Sequence, residues 1–454
     1  MKSYSNRKPG GEMRAIKWAA RNPIEAGVPV ALGASALQFG PTPTGVAVGS
    51  TTAALLAWYR AHPDSFDRFA APYLRSLRRR WLSRYSGSRW RDVTTDCGLA
   101  PAHRKTNNPQ IPRVIKVRSA SPSVDTVYVR MVPGQTPAQW QEKAEALSVA
   151  LNAERVGVER IKPQILALIV QRRESFTEVI EAPEMLWDSD SVDLSALFLG
   201  ETEFGGDWSE PLIGNHWLVA GATGSGKGSL AWGPLRSLAP MIRDGLVRLH
   251  TLDPKRMELT KAEAISHAYA SDLDECVEVV RAFVADLRET EEALADQGKR
   301  KFTPSAETPL NLLMMDELGA LLSFGDYSVA KELRRLLSIV GTQGRATGHS
   351  MLGYVQEPTK DTVPIRDLFT VRICLRVTTA GHADMVLGDG ARLRGALADE
   401  IPNDPATAGI GYVLRPKSRL PMRVRAAYVD DAEIDELTEF VTTGRPGGGL
   451  RVVA

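Results

Sequence analysis

The stretch HWLVAGATGSGKGSL, residues 216–230, determines the fold class of this chain. Its first five residues are mostly apolar and predict a short buried strand. A glycine-rich loop ending in Lys227 follows, and residues 229–238 have the character of a helix. A strand, a glycine-rich loop with a lysine and a helix form the context that a phosphate-binding P-loop requires. We therefore predict an α/β fold with a RecA-like P-loop NTPase motor domain.

The chemistry of this loop predicts nucleotide binding. Glycines let backbone N–H groups turn toward phosphate oxygens, and the amino end of the helix adds positive potential. Lys227 is expected to reach the β- and γ-phosphates of ATP. The residues expected to bind ATP are Gly221, Ala222, Thr223, Gly224, Ser225, Gly226, Lys227, Gly228 and Ser229.

Gly228 departs from the usual P-loop pattern. The residue after the lysine is normally Ser or Thr, whose hydroxyl binds Mg²⁺. In this chain the hydroxyl comes one position later, at Ser229. Either Ser229 ligates Mg²⁺ through a shifted turn, or water takes that place.

A second buried strand ends in two carboxylates, in the segment LLMMDE at residues 312–317. Such a strand is expected to end at the carboxyl edge of the sheet, near the P-loop. Asp316 would hold Mg²⁺ through water, and Glu317 would polarise the attacking water. Alone this pattern is weak, because many strands end in Asp, but it becomes specific together with the P-loop.

Composition shifts divide the chain into segments around this core. Strand and helix patterns between residues 113 and 181 predict a small α+β module. The expected segments are a basic N-terminal membrane anchor at 1–92, a linker at 93–112, the α+β module at 113–181, a connection at 182–211, the ATPase motor at 212–443 and a flexible tail at 444–454.

The N-terminal segment carries an uncharged hydrophobic stretch at residues 26–59. Pro41, Pro43 and Gly45 divide it into two apolar runs and predict a turn between two helices. Basic residues on both sides fit a transmembrane helical hairpin with both ends in the cytoplasm. Each run is short of the roughly 20 residues that span hydrocarbon, so two buried helices of a soluble domain stay an alternative.

A signal peptide is a further interpretation of this stretch, because residues 34–36 (ASA) resemble a cleavage site. Export would separate a P-loop from ATP, which disfavours that interpretation. The favoured prediction places the chain at the cell membrane, in contact with membrane lipid, with its motor domain in the cytoplasm.

The charge distribution excludes a protein that coats nucleic acid with its whole surface. Residues 1–92 hold 15 Lys and Arg against 5 Asp and Glu, so they carry +10, whereas the whole chain carries +2 and the remainder therefore −8. Three widely spaced cysteines argue against a disulfide framework and a zinc site. The histidines form no pair with metal-ligand spacing, and no Gly-x-Ser-x-Gly elbow supports serine hydrolysis.

The order of the motifs over about residues 212–430 resembles the motor domain of the FtsK/SpoIIIE family of DNA translocases. The Gly-Lys-Gly-Ser variant and the short basic head look most like the actinobacterial plasmid and integrative-element transfer proteins of the TraB/TraSA type. Beyond the P-loop, the matching segments are 253–255 (DPK), 345–349 (RATGH), 356–358 (QEP), 372–377 (RICLRV) and 387–390 (LGDG).

This resemblance implies roles for further residues. Gln356, at a strand end, is similar to a γ-phosphate sensor, although a surface glutamine that caps a loop is the plainer interpretation. Arg345 and Arg372 are candidates for a finger that reaches the nucleotide of a neighbouring subunit, and an intrachain salt bridge is equally compatible. Lys255 is expected either to line a central pore or to face solvent.

The resemblance also implies a membrane-tethered, ATP-driven translocase that moves double-stranded DNA through a homo-oligomeric, hexameric ring. Conjugative transfer of a plasmid or integrative element is the favoured role, with transfer accessory proteins as possible partners. Chromosome segregation, a type VII secretion-like ATPase that moves protein substrates, and a nucleotide-gated scaffold without turnover are the alternatives.

Overall fold

The computed structural model describes residues 23–104, 106–298, 302–323, 327–414 and 420–444. Contacts divide the chain into two units, residues 1–74 and 75–454. The first unit contains two consecutive helices, α1 (Pro23–Phe39) and α2 (Pro41–Ala61). Gly40 separates them with a φ of 88°. Pro41 begins α2, at a position where the backbone N–H has no partner within the helix, so proline loses no hydrogen bond there. The predicted helical hairpin is thus present.

The two helices of this hairpin do not have the length and apolar character that the predicted transmembrane hairpin requires. Among the described residues, no helix is both long enough and apolar enough to cross a membrane. Helix α1 has 17 residues, which is about 26 Å at 1.5 Å per residue. Helix α2 has 21 residues but carries several Ser and Thr side chains, and it buries none of its residues. The basic residues that precede the stretch, Arg14, Lys17 and Arg21, lie outside the described residues.

The second unit begins with a small α+β module, as predicted. Its antiparallel sheet has the strand order β1-β2-β4-β3. A capping box at Thr136 starts the first of its two short helices. Helix α3 (Pro63–Phe69) belongs to the first unit, and the division after residue 74 falls within α4 (Ala71–Leu82). The elements that follow are α5 (Gly87–Asp96), β1 (Arg113–Arg118), β2 (Val124–Arg130), α6 (Pro137–Glu142), α7 (Ala144–Leu151), β3 (Arg155–Lys162) and β4 (Ile165–Gln171).

The predicted linker at 93–112 is partly wrong, because its first residues belong to the core of this module. Val93 and Leu99 are buried, together with Trp90 on α5 and Trp140 on α6. These apolar side chains cover one face of the four-stranded sheet, so the chain cannot be a free polar connection there.

Buried ionic contacts join the module to the following sheet. The Arg155 guanidinium lies 2.8 Å from the Glu203 carboxylate, and both side chains are almost fully buried. Arg155 also donates to the carbonyl oxygen of Gly395 at 2.6 Å, and Glu203 accepts from the backbone N–H of Arg423 at 3.0 Å. The charges are therefore paired and hydrogen-bonded, as burial requires.

The motor part is a sheet with the strand order β6-β5-β14-β13-β12-β7-β11-β10-β8-β9 over the described residues. Strands β12, β7, β11, β10, β8 and β9 run parallel, whereas β13, β14, β5 and β6 pair antiparallel. The strands are β5 (Leu197–Thr202), β6 (Asp207–Glu210), β7 (Trp217–Ala220), β8 (Val247–Leu252), β9 (Ala268–Ala270), β10 (Leu310–Met315), β11 (His349–Val355), β12 (Val371–Leu375), β13 (Ile410–Leu414) and β14 (Pro421–Ala426).

Helices cover both faces of this sheet. Alternate residues of the central strands face two separate apolar clusters, because side chains of a strand alternate between faces. Leu218 and Met315 contribute to one cluster, whereas Val219 and Met314 contribute to the other. The helices are α8 (Lys227–Arg243), α9 (Leu273–Asp296), α10 (Leu318–Leu322), α11 (Tyr327–Thr347), α12 (Ala380–Leu387) and α13 (Asp431–Thr443).

This architecture is the mixed α/β P-loop NTPase fold that the sequence predicts. The predicted connection at 182–211 is corrected, because β5 and β6 lie within it and form one edge of the sheet. Strand β6 (DWSE) is short and mostly polar, and β5 (LFLGET) is apolar only in its first half, so neither shows a full strand pattern. The predicted tail at 444–454 lies outside the described residues except for Gly444.

Candidate nucleotide site

The carboxyl ends of the central parallel strands bring the predicted site residues to one edge of the sheet. The P-loop follows β7, Asp316 follows β10 and Gln356 follows β11. Because β11 lies between β7 and β10, the loop and the carboxylates are two strands apart. This is the crevice in which open α/β sheets bind ligands.

The P-loop requires glycine for steric reasons. Gly226 has a φ of 95°, in the left-handed region that disfavours residues with a Cβ. A Cβ at this position would lie 2.4 Å from the backbone nitrogen of Gly409. The loop is further fixed by the Ala222 N–H, which donates to the carbonyl oxygen of Arg376 at 2.7 Å.

Lys227 begins helix α8, and its ammonium lies within the loop. The Nζ donates to the carbonyl oxygens of Gly221 and Ala222 at 2.8 and 3.2 Å. Burial lowers the pKa of Lys227, and the nearby carboxylates of Glu317 and Glu258 act in the opposite direction. The cation is therefore set among carbonyl and carboxylate oxygens, where phosphate oxygens would be competing partners.

Asp316 is buried and surrounded by negative charge. Burial raises its pKa to about 6, and the neighbouring carboxylates of Asp253, Glu317 and Glu258 contribute further, whereas Lys255 opposes the rise. Asp253 is fully buried, and its Oδ1 has no hydrogen-bond partner among the described residues. An arrangement of this kind favours a bound cation, because the negative charge of each carboxylate makes ionisation of the others less favourable.

Glu317 adopts an unusual backbone conformation and is held from two sides. Its φ of 56° lies in the left-handed region, which residues other than glycine rarely occupy. Its Oε1 accepts from the Gln356 backbone N–H at 3.3 Å, and its Oε2 lies 3.2 Å from the Lys255 ammonium. These two contacts hold both carboxylate oxygens in place.

Gln356 lies where the sequence predicts a phosphate sensor. Its Oε1 accepts from the Thr223 hydroxyl in the P-loop at 3.4 Å. The side chain therefore touches the loop directly, while its backbone N–H holds Glu317. Gln356 therefore contacts both the P-loop and the Glu317 carboxylate.

Two residues of this site were not predicted in these places. The Arg376 guanidinium donates to the carbonyl oxygen of Thr223 at 2.5 Å, so it lies against the P-loop. Lys255, expected at a pore or in solvent, instead pairs with Glu317. Both residues belong to the motifs that carry the family resemblance, but the sequence does not show their partners. Arg376 follows β12, which pairs with β7, and Lys255 follows β8, which pairs with β10.

The Ser229 hydroxyl, a predicted metal ligand, has a partner within the chain. It accepts from the backbone N–H of Val429 at 3.4 Å. Val429 follows β14, which lies on the β12 side of the P-loop strand, whereas Asp316 follows β10 on the other side. A role for Ser229 in holding Mg²⁺ stays a prediction.

Arg345 and Arg372 lie toward the opposite edge of the sheet. The Arg345 guanidinium donates to the carbonyl oxygen of Gly214, before β7, at 2.8 Å. Arg372 donates to the carbonyl oxygen of Phe369 at 3.0 Å and pairs with Asp367 at 3.2 Å. The structure does not bring them to the P-loop of their own chain, and a role toward a neighbouring subunit stays a prediction.

The residues at the P-loop fit a nucleotide with Mg²⁺. No group of three or more His, Cys, Asp and Glu side chains in the described part of the chain is placed to hold a metal ion. Mg²⁺ in ATPase sites is typically held by one or two carboxylates together with phosphate oxygens and water. Asp316 and the unpartnered Asp253 oxygen are suited to that arrangement, and Lys227 to the phosphates.

Two family models match the chain. Residues 198–397 match the FtsK/SpoIIIE family, and residues 56–172 match the actinomycete conjugal transfer protein N-terminal domain. The two matches follow one another along the chain and cover the small module and the motor sheet apart from β13 and β14.

Curated relatives and a solved structure agree with these matches. The DNA translocase FtsK of Halalkalibacterium halodurans is 25% identical over 326 residues, 66% of this chain and 39% of that protein. FtsK of Pseudomonas aeruginosa is 26% identical over 305 residues, 58% of this chain and 35% of that protein. The chain thus spans less than half the length of these relatives.

The solved structure is that of the pCW3 conjugation coupling protein TcpA, monomer form with ATPγS. It matches with a TM-score of 0.51 and 18% identity over 80% of this chain and 99% of that chain. This likeness supports the fold. The resemblance noted in the sequence is confirmed: the chain carries an FtsK/SpoIIIE family domain preceded by an actinomycete conjugal transfer protein N-terminal domain.

Proposed function

We propose that this chain is an ATPase that moves double-stranded DNA during conjugative transfer of a plasmid or integrative element. The observation that carries the proposal is the convergence of Lys227, Asp316, Glu317 and Gln356 on one edge of the sheet within an FtsK/SpoIIIE domain. The DNA translocases among its relatives support DNA as the substrate. The conjugal transfer domain supports the role in transfer.

Each residue has a defined part in this proposal. Bound ATP with Mg²⁺ supplies the phosphoryl group and the countercharge for its transfer. Lys227 binds the terminal phosphates, and Asp316 holds the metal through water. Glu317 accepts a proton from the attacking water. Gln356 bridges the P-loop and Glu317, so it reports the state of the phosphate to the base.

The proposed working form is a homo-oligomeric ring, with a hexamer as the expected size. Arg345 and Arg372 lie away from the P-loop of their own chain, and a ring would allow either one to face the site of a neighbour. Analytical ultracentrifugation with ATPγS and duplex DNA tests the assembly. A chain that stays monomeric under all conditions would contradict it.

The proposed location is the cytoplasmic side of the cell membrane, with membrane lipid and transfer accessory proteins as partners. The supporting observation is the exposure of large apolar side chains on the first two helices, such as Leu37, Phe39 and Val46 at 91%, 64% and 63% exposed. Exposed apolar surface of this kind is typical of a site for membrane or protein contact. The basic residues that follow favour anionic lipid.

The translocase proposal is tested with the full chain by ATP turnover without nucleic acid, with single-stranded DNA and with duplex DNA. We expect duplex DNA to stimulate turnover most, and Lys227→Ala to abolish it. Displacement of a third strand from duplex DNA then reports movement directly. Stimulation without displacement would contradict a translocase, and turnover that ignores DNA would favour a secretion-type ATPase.

The alternative of chromosome segregation concerns the biological role of the same activity. Deletion of the gene in a plasmid-bearing host separates the two. Loss of plasmid transfer with normal chromosome partition supports the proposal, and the reverse result contradicts it.

Membrane association is tested by sedimentation of the full chain with vesicles of anionic or neutral lipid. We expect binding to anionic vesicles and a loss of at least half of the bound fraction in Leu37→Asp. Val149→Asp is the matched control, because Val149 is 76% exposed on helix α7. A wild-type chain that stays in the supernatant with both vesicles would contradict the proposal.

A further inference from the structure

Glu258 lies close to Gly228 in the structure, although none of the sequence motifs includes Glu258. Gly228 stands where P-loops usually carry the hydroxyl that binds Mg²⁺. A Cβ built on Gly228 would lie 3.3 Å from Oε2 of Glu258. The Glu258 carboxylate therefore reaches the space that a Ser or Thr side chain would enter.

The Glu258 segment is tied to the helix that follows the P-loop. The indole N–H of the buried Trp232, on helix α8, donates to the carbonyl oxygen of Glu258 at 3.2 Å. Leu259, the next residue, is 1% exposed. The backbone at Glu258 is thus anchored from both sides, although its carboxylate faces the open site.

The charge of Glu258 acts on the same groups that would surround a metal. It stabilises the charged form of Lys227 and raises the pKa of Asp316. The carboxylate itself makes no hydrogen bond or ion pair with the residues that the structure describes. Its oxygens are therefore available to a further partner, and a divalent cation is the partner that carboxylates near phosphate oxygens prefer.

A buried carboxylate whose charge also acts on Asp316 is a second observation that points to a cation. Asp253 is fully buried, and its Oδ1 has no partner among the described residues. An unpaired buried oxygen is unfavourable unless a ligand, water or ion completes it.

We propose that Glu258 replaces the missing P-loop hydroxyl and ligates the nucleotide-associated Mg²⁺, directly or through one water, and that Gly228 provides the space for it. The two residues form a matched pair, because a side chain at position 228 and the carboxylate of Glu258 compete for the same volume. This inference rests on the proposed function as an ATPase, and it adds to that function the residue that sets metal affinity.

The experiment measures binding, separately from turnover, on the full chain. Calorimetry gives the affinity for ATPγS in EDTA. Electron paramagnetic resonance then gives the affinity of Mn²⁺, as a spin probe for Mg²⁺, for the protein saturated with ATPγS. The variants are Glu258→Ala, Glu258→Gln, Gly228→Ser and Gly228→Ser with Glu258→Ala, and Glu263→Ala is the control because it removes an exposed carboxylate five residues away.

We expect Glu258→Ala and Glu258→Gln to weaken Mn²⁺ binding about tenfold or more, with ATPγS affinity in EDTA unchanged within about threefold. Gly228→Ser alone also weakens Mn²⁺ binding, because the new side chain meets the carboxylate. The double variant restores Mn²⁺ affinity to within about threefold of the wild type, because the hydroxyl then takes its usual place. Thermal unfolding shows which variants are folded.

Two results overturn the inference: Glu258→Ala binds Mn²⁺ as tightly as Glu263→Ala, or the double variant binds no better than Glu258→Ala. Failure of the wild type to bind ATPγS at all refutes the proposed ATPase function instead. ATPγS binding that is intact, with Mn²⁺ affinity indifferent to Glu258, refutes this inference alone.

Discussion

The Lys255 ammonium lies 3.2 Å from Oε2 of Glu317, the carboxylate that follows Asp316. Glu317 is almost fully buried, whereas Lys255 is 40% exposed. Glu317, the base expected to activate water, is therefore paired with a solvent-accessible cation. A phosphate that approaches from solvent can also reach this cation. The ion pair therefore links a buried residue of the site to an exposed side chain on the surface of the motor.

Replacing Lys255 by Ala should raise ATP turnover without DNA about two- to fivefold, because a partly exposed ion pair contributes at most about 1 kcal/mol. The ratio of turnover with DNA to turnover without it should fall by a similar factor. Steady-state ATP hydrolysis measures both. Lys261→Ala is the control, because Lys261 pairs with Asp435 on the surface. Equal rates in Lys255→Ala and the wild type would show that the pair does not restrain Glu317.

Asp316→Asn should stabilise the metal-free protein at neutral pH. The pKa of Asp316 is raised from 3.8 to about 6, so the folded state keeps a proton that the unfolded state has released between these values. The free energy of unfolding therefore falls as pH rises from about 4 to about 6. Two pKa units correspond to about 3 kcal/mol, which the variant should gain at pH 7.5.

Urea unfolding in EDTA measures this effect. At pH 5 the gain in unfolding free energy should shrink to about half, because this pH is only about one unit above the pKa of Asp316 in the unfolded state. Asp207→Asn, at the exposed start of β6, is the control. An Asp316→Asn chain no more stable than the wild type at pH 7.5 would contradict the raised pKa.

Gln356→Ala should separate binding from turnover. The side chain touches Thr223, and its backbone N–H holds Glu317, so the substitution removes only the contact to the loop. We expect turnover to fall about 100-fold, as for other positioned polar groups, with ATPγS affinity within about threefold. Gln343→Ala, exposed on α11, is the control. A parallel loss of affinity would mean that Gln356 contributes to binding and not to the reaction.

Gly226→Ala should abolish nucleotide binding and destabilise the fold. Its Cβ would lie 2.4 Å from the Gly409 nitrogen, so the loop must move. Gly245→Ala is a matched control, because Gly245 also has a positive φ, 72°, but open space around it. We expect Gly245→Ala to cost about 1 kcal/mol and Gly226→Ala clearly more. Equal costs in urea unfolding would show that the backbone angle alone matters.

Arg155→Ala should destabilise the contact between the small module and the motor sheet. It leaves the Glu203 carboxylate buried without its cation, which typically costs about 3–5 kcal/mol. Arg155→Met combined with Glu203→Leu should recover most of this, because no charge is then stranded. Lys261→Ala, at a surface pair, should cost under about 1 kcal/mol. Unfolding free energies from urea titration decide between these outcomes.

The family and the principal site residues could be predicted from local sequence. The P-loop, the strand that ends in Asp316 and Glu317, and the motif with Gln356 each occupy a short segment whose residue types state their chemistry. Parallel strands align their carboxyl ends, so these segments were expected to meet, and the contacts of Gln356 with Thr223 and Glu317 agree with that expectation.

The remaining features depend on packing between distant segments. Strand β5 is apolar only in its first half and β6 is mostly polar, and only the pairing of β5 with β14 and of β6 with β5 places them in the sheet. The direction of Ser229 depends on how α8 packs beside Val429.

The sequence by itself determined the fold class, the nucleotide loop and the carboxylates of this protein, because backbone preference and residue chemistry act over a few neighbouring positions. Only the tertiary structure decided that Glu258 faces Gly228, that Lys255 holds Glu317 and that Arg345 and Arg372 point away from the loop. Those relationships join residues from separate strands and loops, and side-chain packing in three dimensions sets them.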